Sequence, residues 1–164
     1  MIFVECNPDT AIVRALVALP QREIVHELKG KFGIAKMMGQ RKGLVGLVDE
    51  DPGSVQPRYF MTMKVKQDLT GGIRLLSDEI RNNRLLVVCP YLEAWIAQAS
   101  KDARLDLSDY SLPRDPASLH KVVNIDLRRF ERVVEDLKGS QRIETLRDLL
   151  KQVGVPVKPR ARSH

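Results

Sequence analysis

The chain has little cysteine, no long hydrophobic run, no internal repeat and no low-complexity segment. No apolar stretch approaches the roughly 20 residues that a helix needs to cross a bilayer, which argues against a membrane-spanning protein. Met1 leads directly into an apolar segment that predicts a strand, so we expect no signal peptide. These absences favour a cytoplasmic protein that has no membrane partner.

The two cysteines, Cys6 and Cys89, each follow an apolar segment that predicts a strand. A structural zinc site needs four ligands, and the chain has no closely spaced cysteine pair to supply them. We expect both side chains to be buried thiols in a reducing compartment, with a disulfide or a zinc role as the alternative.

The chain is basic, with a net charge of +6 and a pI of about 9.5. This balance modestly favours polyanionic partners such as nucleic acid. The basic residues are scattered except in the segment 155–164, where Lys158, Arg160 and Arg162 fall among prolines. We expect this segment to be a disordered tail, with a phosphate-contacting arm as the alternative.

The first fifty residues predict an α/β fold, because short aliphatic runs typical of buried parallel strands alternate with helical segments. The predicted segments are a strand at 2–4, a helix from Pro8 to Leu19 with Asn7 as its N-cap, a strand at 22–28, a weaker helix or loop at 29–39 and a strand at 44–49. This β-α-β-α-β order favours a Rossmann-like, mostly parallel sheet with flanking helices.

The rest of the chain predicts further strands and a helical C-terminal third. The predicted segments are a strand at 59–65, hairpin strands at 73–76 and 85–89, a helix at 91–99, a loop at 101–116, a long helix from Pro116 to Leu137 and a last helix at 142–153. We expect residues 1–154 to form one domain, whose helical part covers about 115–154. The last helices can pack on the sheet or on a second copy of the chain.

Acidic residues close the predicted strands: Glu5 follows the strand 2–4, and Asp49 and Asp51 follow the strand 44–49. In open α/β sheets the carboxyl ends of the strands are where ligands bind. Residues i and i+2 of a strand point to the same side, so Asp49 and Asp51 can face one point while Glu50 faces away.

Two further acids belong to the same predicted edge. Asp9 lies in the first turn of the first helix, and Glu93 follows the strand 85–89 at the start of another helix. Each has a structural alternative, because an acid in the first turn of a helix is stabilised by the helix dipole. Asp51 has one too, since Asp-Pro-Gly is a good turn sequence.

Carboxylates that converge repel each other unless a cation lies between them, and oxygen ligands of this kind suit Mg²⁺ or Mn²⁺. Two such ions can hold the attacking and the leaving oxygen of a phosphoryl displacement. The acids therefore predict a metal site for phosphodiester chemistry.

Two of these segments, 4–9 (Val-Glu-Cys-Asn-Pro-Asp) and 48–51 (Val-Asp-Glu-Asp), resemble the Toprim domain of topoisomerases, primases and OLD-type nucleases. That family has a glutamate at the end of its first strand and an Asp-x-Asp motif after a later strand. The segment 89–95 resembles the Leu-Glu-x-Trp segment of small stand-alone Toprim-like proteins. The resemblance covers about residues 1–100.

The resemblance implies a Toprim-like fold and a set of metal ligands. Asp9 matches the second acid of the first motif in OLD-type nucleases, and Glu93 matches a Leu-Glu that supplies a ligand there. Together with Asp49 and Asp51, these residues would bind the metal, and Glu5 would be a ligand or a general base. Cys6 departs from the pattern, because glycine is usual at that position.

Four functions remain open. The first is a Mg²⁺- or Mn²⁺-dependent nuclease, in which a basic surface with Lys121 or His120 contacts the phosphates. The second is a non-catalytic Toprim-like module that binds nucleic acid or protein and works with a separate ATPase or a defence system. Cys6 and the lack of a clear catalytic lysine favour it. The others are a phosphoacceptor domain of the response-regulator kind, which Glu93 fits less well, and an α/β domain whose acids are ordinary caps and turns.

Overall fold

Six strands form one sheet, covered by helices on both faces, in the part of the chain that this computed structural model describes, residues 1–69 and 71–160. The strands are β1 (Ile2–Val4), β2 (Ile24–His26), β3 (Val45–Asp49), β4 (Lys64–Leu69), β5 (Ile73–Asp78) and β6 (Asn83–Val88). The helices are α1 (Asn7–Leu16), α2 (Gly30–Gln40), α3 (Arg58–Thr62), α4 (Leu92–Asp102), α5 (Pro116–Val123), α6 (Leu127–Asp136) and α7 (Gln141–Gln152).

The strand order across the sheet is β2-β1-β3-β6-β5-β4. β1 pairs in parallel with β2 and with β3, and β3 pairs in parallel with β6. β5 is antiparallel to both of its neighbours, β6 and β4. The mostly parallel α/β sheet predicted from the sequence is therefore confirmed, and the predicted hairpin is the pair β5–β6.

Side chains alternate along the strands and so divide the core between the two faces of the sheet. Leu47 of β3 lies in the larger core with α1 and α4 to α7, whereas Val48 lies in the smaller core with α2 and α3. Trp95 is buried in the larger core. Phe130 and Leu150 share this core, so the C-terminal helices pack on the sheet of their own chain.

Gly46, in the middle of β3, lies directly beneath α2. A Cβ atom at this position would lie 3.0 Å from Leu85 Cδ1, 3.2 Å from Ile34 Cγ2 and 3.3 Å from Met38 Sδ. The lack of a side chain therefore lets α2 approach the sheet closely.

The strand predicted at 59–65 is wrong. Residues Arg58–Thr62 form α3, and β4 begins only at Lys64. The alternation of apolar and polar residues in this stretch favoured a strand. Pro57, with φ of −60° at the N-cap, suits the start of a helix instead, and Phe60 of that helix packs into the smaller core.

The boundaries of several helices also differ from the prediction. The long helix predicted from Pro116 is two helices, because the chain turns at 124–126 and Asp126 caps α6 by accepting a hydrogen bond from Arg128 N. The N-cap of α1 is Cys6 rather than Asn7. Within 1–69 and 71–160, no helix is long and apolar enough to span a bilayer.

The segment 155–160 is packed against the domain, which differs from the disordered tail that the sequence predicts. Val155 is 4% exposed, and Val157 forms an antiparallel β-bridge with Val17. Arg160 Nε lies 2.6 Å from Glu144 Oε2 of α7. The remainder of the predicted tail, 161–164, lies outside the described residues.

Candidate functional site

The carboxyl ends of β1 and β3 lie side by side in the sheet, and an acid-lined cavity lies next to the end of β3. These strands are neighbours, but α1 follows β1 on the face of the larger core and α3 follows β3 on the face of the smaller core. Open α/β sheets bind ligands at such a reversal of strand order. We call this site the acidic crevice, and its acids are Glu5, Asp9, Asp49, Asp51 and Glu93.

Glu5 and Asp49 join the two strand ends to each other and to α4. Glu5 Oε2 accepts a hydrogen bond from Asp49 N at 3.1 Å. Asp49 Oδ1 accepts one from Leu92 N, at the first residue of α4, at 2.9 Å. The positive end of the α4 dipole therefore faces the Asp49 carboxylate and stabilises its negative charge.

Asp51 faces the crevice because of a turn and not because of the strand alternation that the sequence predicts. β3 ends at Asp49, and Asp51 has φ of +48°, in the left-handed region. Asp51 and Asp49 nevertheless border the same cavity. Glu50 faces away, as predicted, and its Oε1 lies 2.7 Å from Arg74 Nη2.

Lys31 belongs to the crevice, and sequence reasoning missed it. This residue of the first turn of α2 is only 4% exposed. Its Nζ donates hydrogen bonds of 3.1 Å to Asp51 Oδ2 and of 3.1 Å to Glu50 O. Lysines are almost never fully buried unless they are paired, so its burial is itself a sign of the site. No signal in the basic segment 29–39 separates this lysine from a solvated one.

Asp9 is fully buried in the first turn of α1. Its Oδ2 accepts hydrogen bonds from Cys6 N at 3.0 Å and from Cys6 Sγ at 3.1 Å, so it does cap the helix. Its Oδ1 is buried without any hydrogen-bond partner. Capping the helix uses only Oδ2 of Asp9. The second oxygen of an ordinary cap is exposed to water, so the buried and unsatisfied Oδ1 points to an additional role.

Glu93 forms the far wall of the crevice with α5. Its side chain is 3% exposed, and its Oε1 lies 2.9 Å from His120 Nδ1. Both residues border a cavity of about 310 Å³ together with Asp49, Asp51 and Tyr91. The sequence hinted at His120 as a phosphate contact, but its pairing with Glu93 depends on the packing of α5 against α4.

Burial and mutual repulsion change the acidity of the crevice. Burial, followed by the charges of Asp9 and Glu5, raises the pKa of Asp49 to about 9. Burial raises the pKa of Asp9 to about 7, against the hydrogen bonds from Cys6. Burial also raises the pKa of Glu5, although the amide of Asp49 and the ammonium group of Lys31 oppose the rise. A nearby cation would reverse these effects.

The donor set fits a hard divalent cation in its chemistry, since it consists of carboxylates and includes the unsatisfied Asp9 Oδ1. Over the described ranges, no three histidine, cysteine or acidic side chains are already close enough to form a metal group. The carboxylates hold backbone amides, a lysine or a histidine instead. Binding a metal through all of them therefore requires their side chains to move closer together or to use the oxygens that these partners leave free.

The basic residues proposed for nucleic-acid contact lie in different places. Lys121 is exposed on α5, one residue after the histidine of the crevice. Lys158 Nζ donates a 2.7 Å hydrogen bond to Arg14 O near the end of α1, about 10 Å along that helix from its first residue. Arg160 pairs with acids of α7. Arg162 lies outside the described residues.

No protein-family model matches the chain, and neither a curated protein nor a solved structure matches it. The function of the acidic crevice is therefore inferred from its own carboxylates, cavities and charges.

Proposed function

We propose that the protein acts on phosphodiesters with a divalent metal ion, most simply as a nuclease whose crevice is Toprim-like. The observation that supports this most is the gathering of five carboxylates at the reversal of strand order. Burying like charges together is unfavourable unless a cation or a proton is shared between them. Mg²⁺ or Mn²⁺ is the cofactor that these oxygen ligands would select.

Each residue of the crevice has a distinct role in this proposal. Asp9, Asp49, Asp51 and Glu93 would hold the metal, which supplies Lewis-acid stabilisation of phosphate oxygens. Glu5 would be a further ligand or a general base, and its raised pKa suits a group that accepts a proton. The buried ammonium group of the crevice lysine would stabilise the negative charge of a phosphate.

Nucleic acid is the substrate that the charge distribution favours. The chain carries a net charge of +6, and Lys121 is exposed beside the crevice. Contacts to the phosphate backbone position a nucleic acid without reading its sequence.

Calorimetric titration with Mg²⁺ and Mn²⁺, followed by incubation with single- and double-stranded DNA and RNA, tests the proposal. We expect the wild-type protein to bind the metal and to cleave at least one of these substrates. The double variant Asp49→Asn/Asp51→Asn should lose metal binding, and its cleavage should fall by about 100-fold or more.

The matched control is Asp109→Asn/Asp148→Asn, which removes the same charge from two exposed carboxylates outside the crevice. This control should bind metal and cleave like the wild type. If Asp49→Asn/Asp51→Asn keeps both metal binding and cleavage, the assignment of the crevice is wrong.

The second candidate is a non-catalytic Toprim-like module that binds nucleic acid or protein and works with a separate ATPase. The observation that favours it is the self-pairing of the crevice, in which Asp9 is bound to Cys6 and Asp51 is bound to Lys31. It predicts an oligonucleotide that binds in the presence of Mn²⁺ and remains intact.

A further inference from the structure

A second cavity, of about 330 Å³, lies on the face of the sheet that carries the smaller core, next to the end of β3. Its floor consists of aliphatic side chains of β3, β5 and β6, and its walls include Phe60 and Met61 of α3 and Val65 of β4. Glu50 and Arg74 stand at its rim. We call it the sheet-face cavity. Its volume is at the lower end of the roughly 300–1,000 Å³ typical of small-molecule sites.

Large apolar side chains are exposed around the opening of this cavity. Met61 is 73% exposed and Val65 is 59% exposed. Val55 is 79% exposed and lies between two residues that line the cavity, Ser54 and Gln56. Single exposed apolar residues are ordinary, but several around one opening form the kind of patch that marks a binding surface.

The rim offers both donors and acceptors. Arg74 Nη2 lies 2.7 Å from Glu50 Oε1, and the side chains of Arg74 and Glu50 are 36% and 24% exposed. Gln56 also lines the cavity. A heterocyclic base presents donors and acceptors along one edge and apolar faces on both sides, so these groups and the apolar walls complement it.

The sheet-face cavity and the acidic crevice meet at Asp49, which borders both cavities. Alternation along β3 sends Val48 to the face of the smaller core and Asp49 towards α4. Glu50 then returns to the first face, where it meets Arg74. A ligand that crosses the sheet edge at this point can therefore place a phosphate at the acids and a ring in the cavity.

We propose that the sheet-face cavity binds a nucleobase of the nucleic acid whose phosphate lies at the acidic crevice. This inference rests on the proposed function, and it adds a base subsite to the metal site. The base packs between the aliphatic floor and the side chains of Phe60 and Met61, and its polar edge faces Glu50 and Arg74. Apolar packing of this kind tolerates any of the bases, so the subsite orients the substrate with little sequence preference.

Met61 is a suitable probe of this subsite, because its side chain lines the cavity and its methyl group would feel the ring current of a bound base. Methionine methyls are labelled with ¹³C, and the Met61 signal is assigned by its loss in Met61→Leu. Adenosine, uridine and their 5′-monophosphates are added without metal, and ribose 5-phosphate is added as the ligand without a base. We expect the nucleosides and nucleotides to shift the Met61 signal and ribose 5-phosphate to leave it unchanged.

Two variants at exposed apolar positions locate the effect. Val65→Glu places a charge in the wall of the cavity and should weaken nucleotide binding by about tenfold or more. Ile80→Glu places the same charge at an 84% exposed apolar position in the turn between β5 and β6, and it should bind nucleotides like the wild type. Met38 and Met63, which are buried in the smaller core, serve as internal references for the fold.

The outcomes separate this inference from the proposed function. If nucleosides shift Met61 and Val65→Glu removes the shift, the subsite stands even when no cleavage is found, and the non-catalytic module then becomes the function. If no nucleoside or nucleotide shifts Met61 while Asp49-dependent cleavage is present, the subsite is overturned and the nuclease stands. An equal shift with ribose 5-phosphate, or with Ile80→Glu as defective as Val65→Glu, also overturns the subsite.

Discussion

Two polar clusters lie at opposite ends of the parallel strands, and they differ in how fully their hydrogen bonds are satisfied. At the amino end, Asn83 is fully buried, and its Oδ1 accepts a 2.8 Å hydrogen bond from Leu44 N. Its Nδ2 donates to Met38 O at 2.7 Å and to Arg41 O at 3.1 Å. At the carboxyl end, the acidic crevice buries charged groups and leaves an oxygen of Asp9 without a partner.

This difference distinguishes a cluster that serves the fold from one that we propose to bind a ligand. A neutral amide that satisfies three backbone groups links α2, β3 and β6, and it needs nothing from outside the chain. A set of buried carboxylates with raised pKa values is unfavourable for the folded protein by itself. Such a set becomes more favourable when it takes up protons or a cation.

Asn83→Ala should have the largest effect on stability, because it leaves Leu44 N and the carbonyl groups of Met38 and Arg41 without their partner. Each lost hydrogen bond of this kind costs about 1 kcal/mol or more, so we expect a loss of about 3 kcal/mol. Urea unfolding followed by circular dichroism measures it. Asn82→Gly, at the neighbouring exposed turn position with φ of 53°, should change stability little. An unchanged midpoint for Asn83→Ala would show that the buried amide does not stabilise the fold.

The stability of the metal-free protein should decrease as the pH rises from 5 to 9. The pKa values of Asp9 and Asp49 are raised to about 7 and about 9 in the folded protein, so over this range the folded state binds more protons than the unfolded state. Their contribution to stability is complete below pH 4 and is lost as the pH passes through the folded values. We expect this decrease to appear as a fall in the free energy of unfolding, measured by urea unfolding in EDTA at each pH.

Two variants test whether the acids of the crevice cause this pH dependence. Asp49→Asn removes a titrating group and should flatten the curve between pH 5 and 9. Asn83→Ala removes a neutral group, so its curve should run parallel to that of the wild type at a lower level. A wild-type curve that rises across this range would contradict the raised pKa values of the crevice.

Asp9→Asn should stabilise the metal-free protein by about 1–2 kcal/mol at pH 8, because it removes a buried charge. It should also abolish the stabilisation of the wild type by Mn²⁺, which thermal unfolding detects as a shift in Tm. Asp109→Asn is the control for loss of one negative charge. If Asp9→Asn instead destabilises the protein and Mn²⁺ still raises its Tm, Asp9 is only a helix cap.

Lys31→Met should have its clearest effect on binding. Removing the buried positive charge makes the crevice more negative, so we expect Mn²⁺ to bind about tenfold more tightly, as calorimetry measures. Oligonucleotide affinity should decrease, because the charge that faces the phosphate is gone. Lys36→Met, an exposed position on the same helix, should change neither value. Weaker Mn²⁺ binding in Lys31→Met would show that the lysine supports the ligands rather than competing with the metal.

The edge of the sheet and its acids could be predicted from the sequence. Aliphatic runs that end in Glu5 and Asp49 show where strands stop, and parallel strands share one edge, so the position of the acids follows. The break between α5 and α6 also has a local signal, because Asp126 is a good N-cap. It is hidden by the continuous helical pattern of apolar residues around it.

The contacts inside the crevice could not be predicted in the same way. The burial of Lys31 depends on the left-handed turn at Asp51. This contact forms only when α2 and the segment after β3 come together in the folded chain. The pairing of Glu93 with His120 likewise depends on how α5 packs. The prediction of a strand at 59–65 was wrong for a related reason, because the packing of Phe60 into the smaller core overrides the strand-like sequence pattern.

Gly46 links the packing of the sheet to the geometry of the crevice at a distance. α2 rests on this glycine, and the same helix carries Lys31 at its first turn. A single methyl group at position 46 would displace α2 by a few tenths of an ångström, because the contacts there are already close. Random mutagenesis that selects for altered metal preference should therefore return substitutions at this remote strand position as well as in the acids. Natural variation at position 46 would likewise change the geometry of the proposed site without replacing any of its proposed ligands.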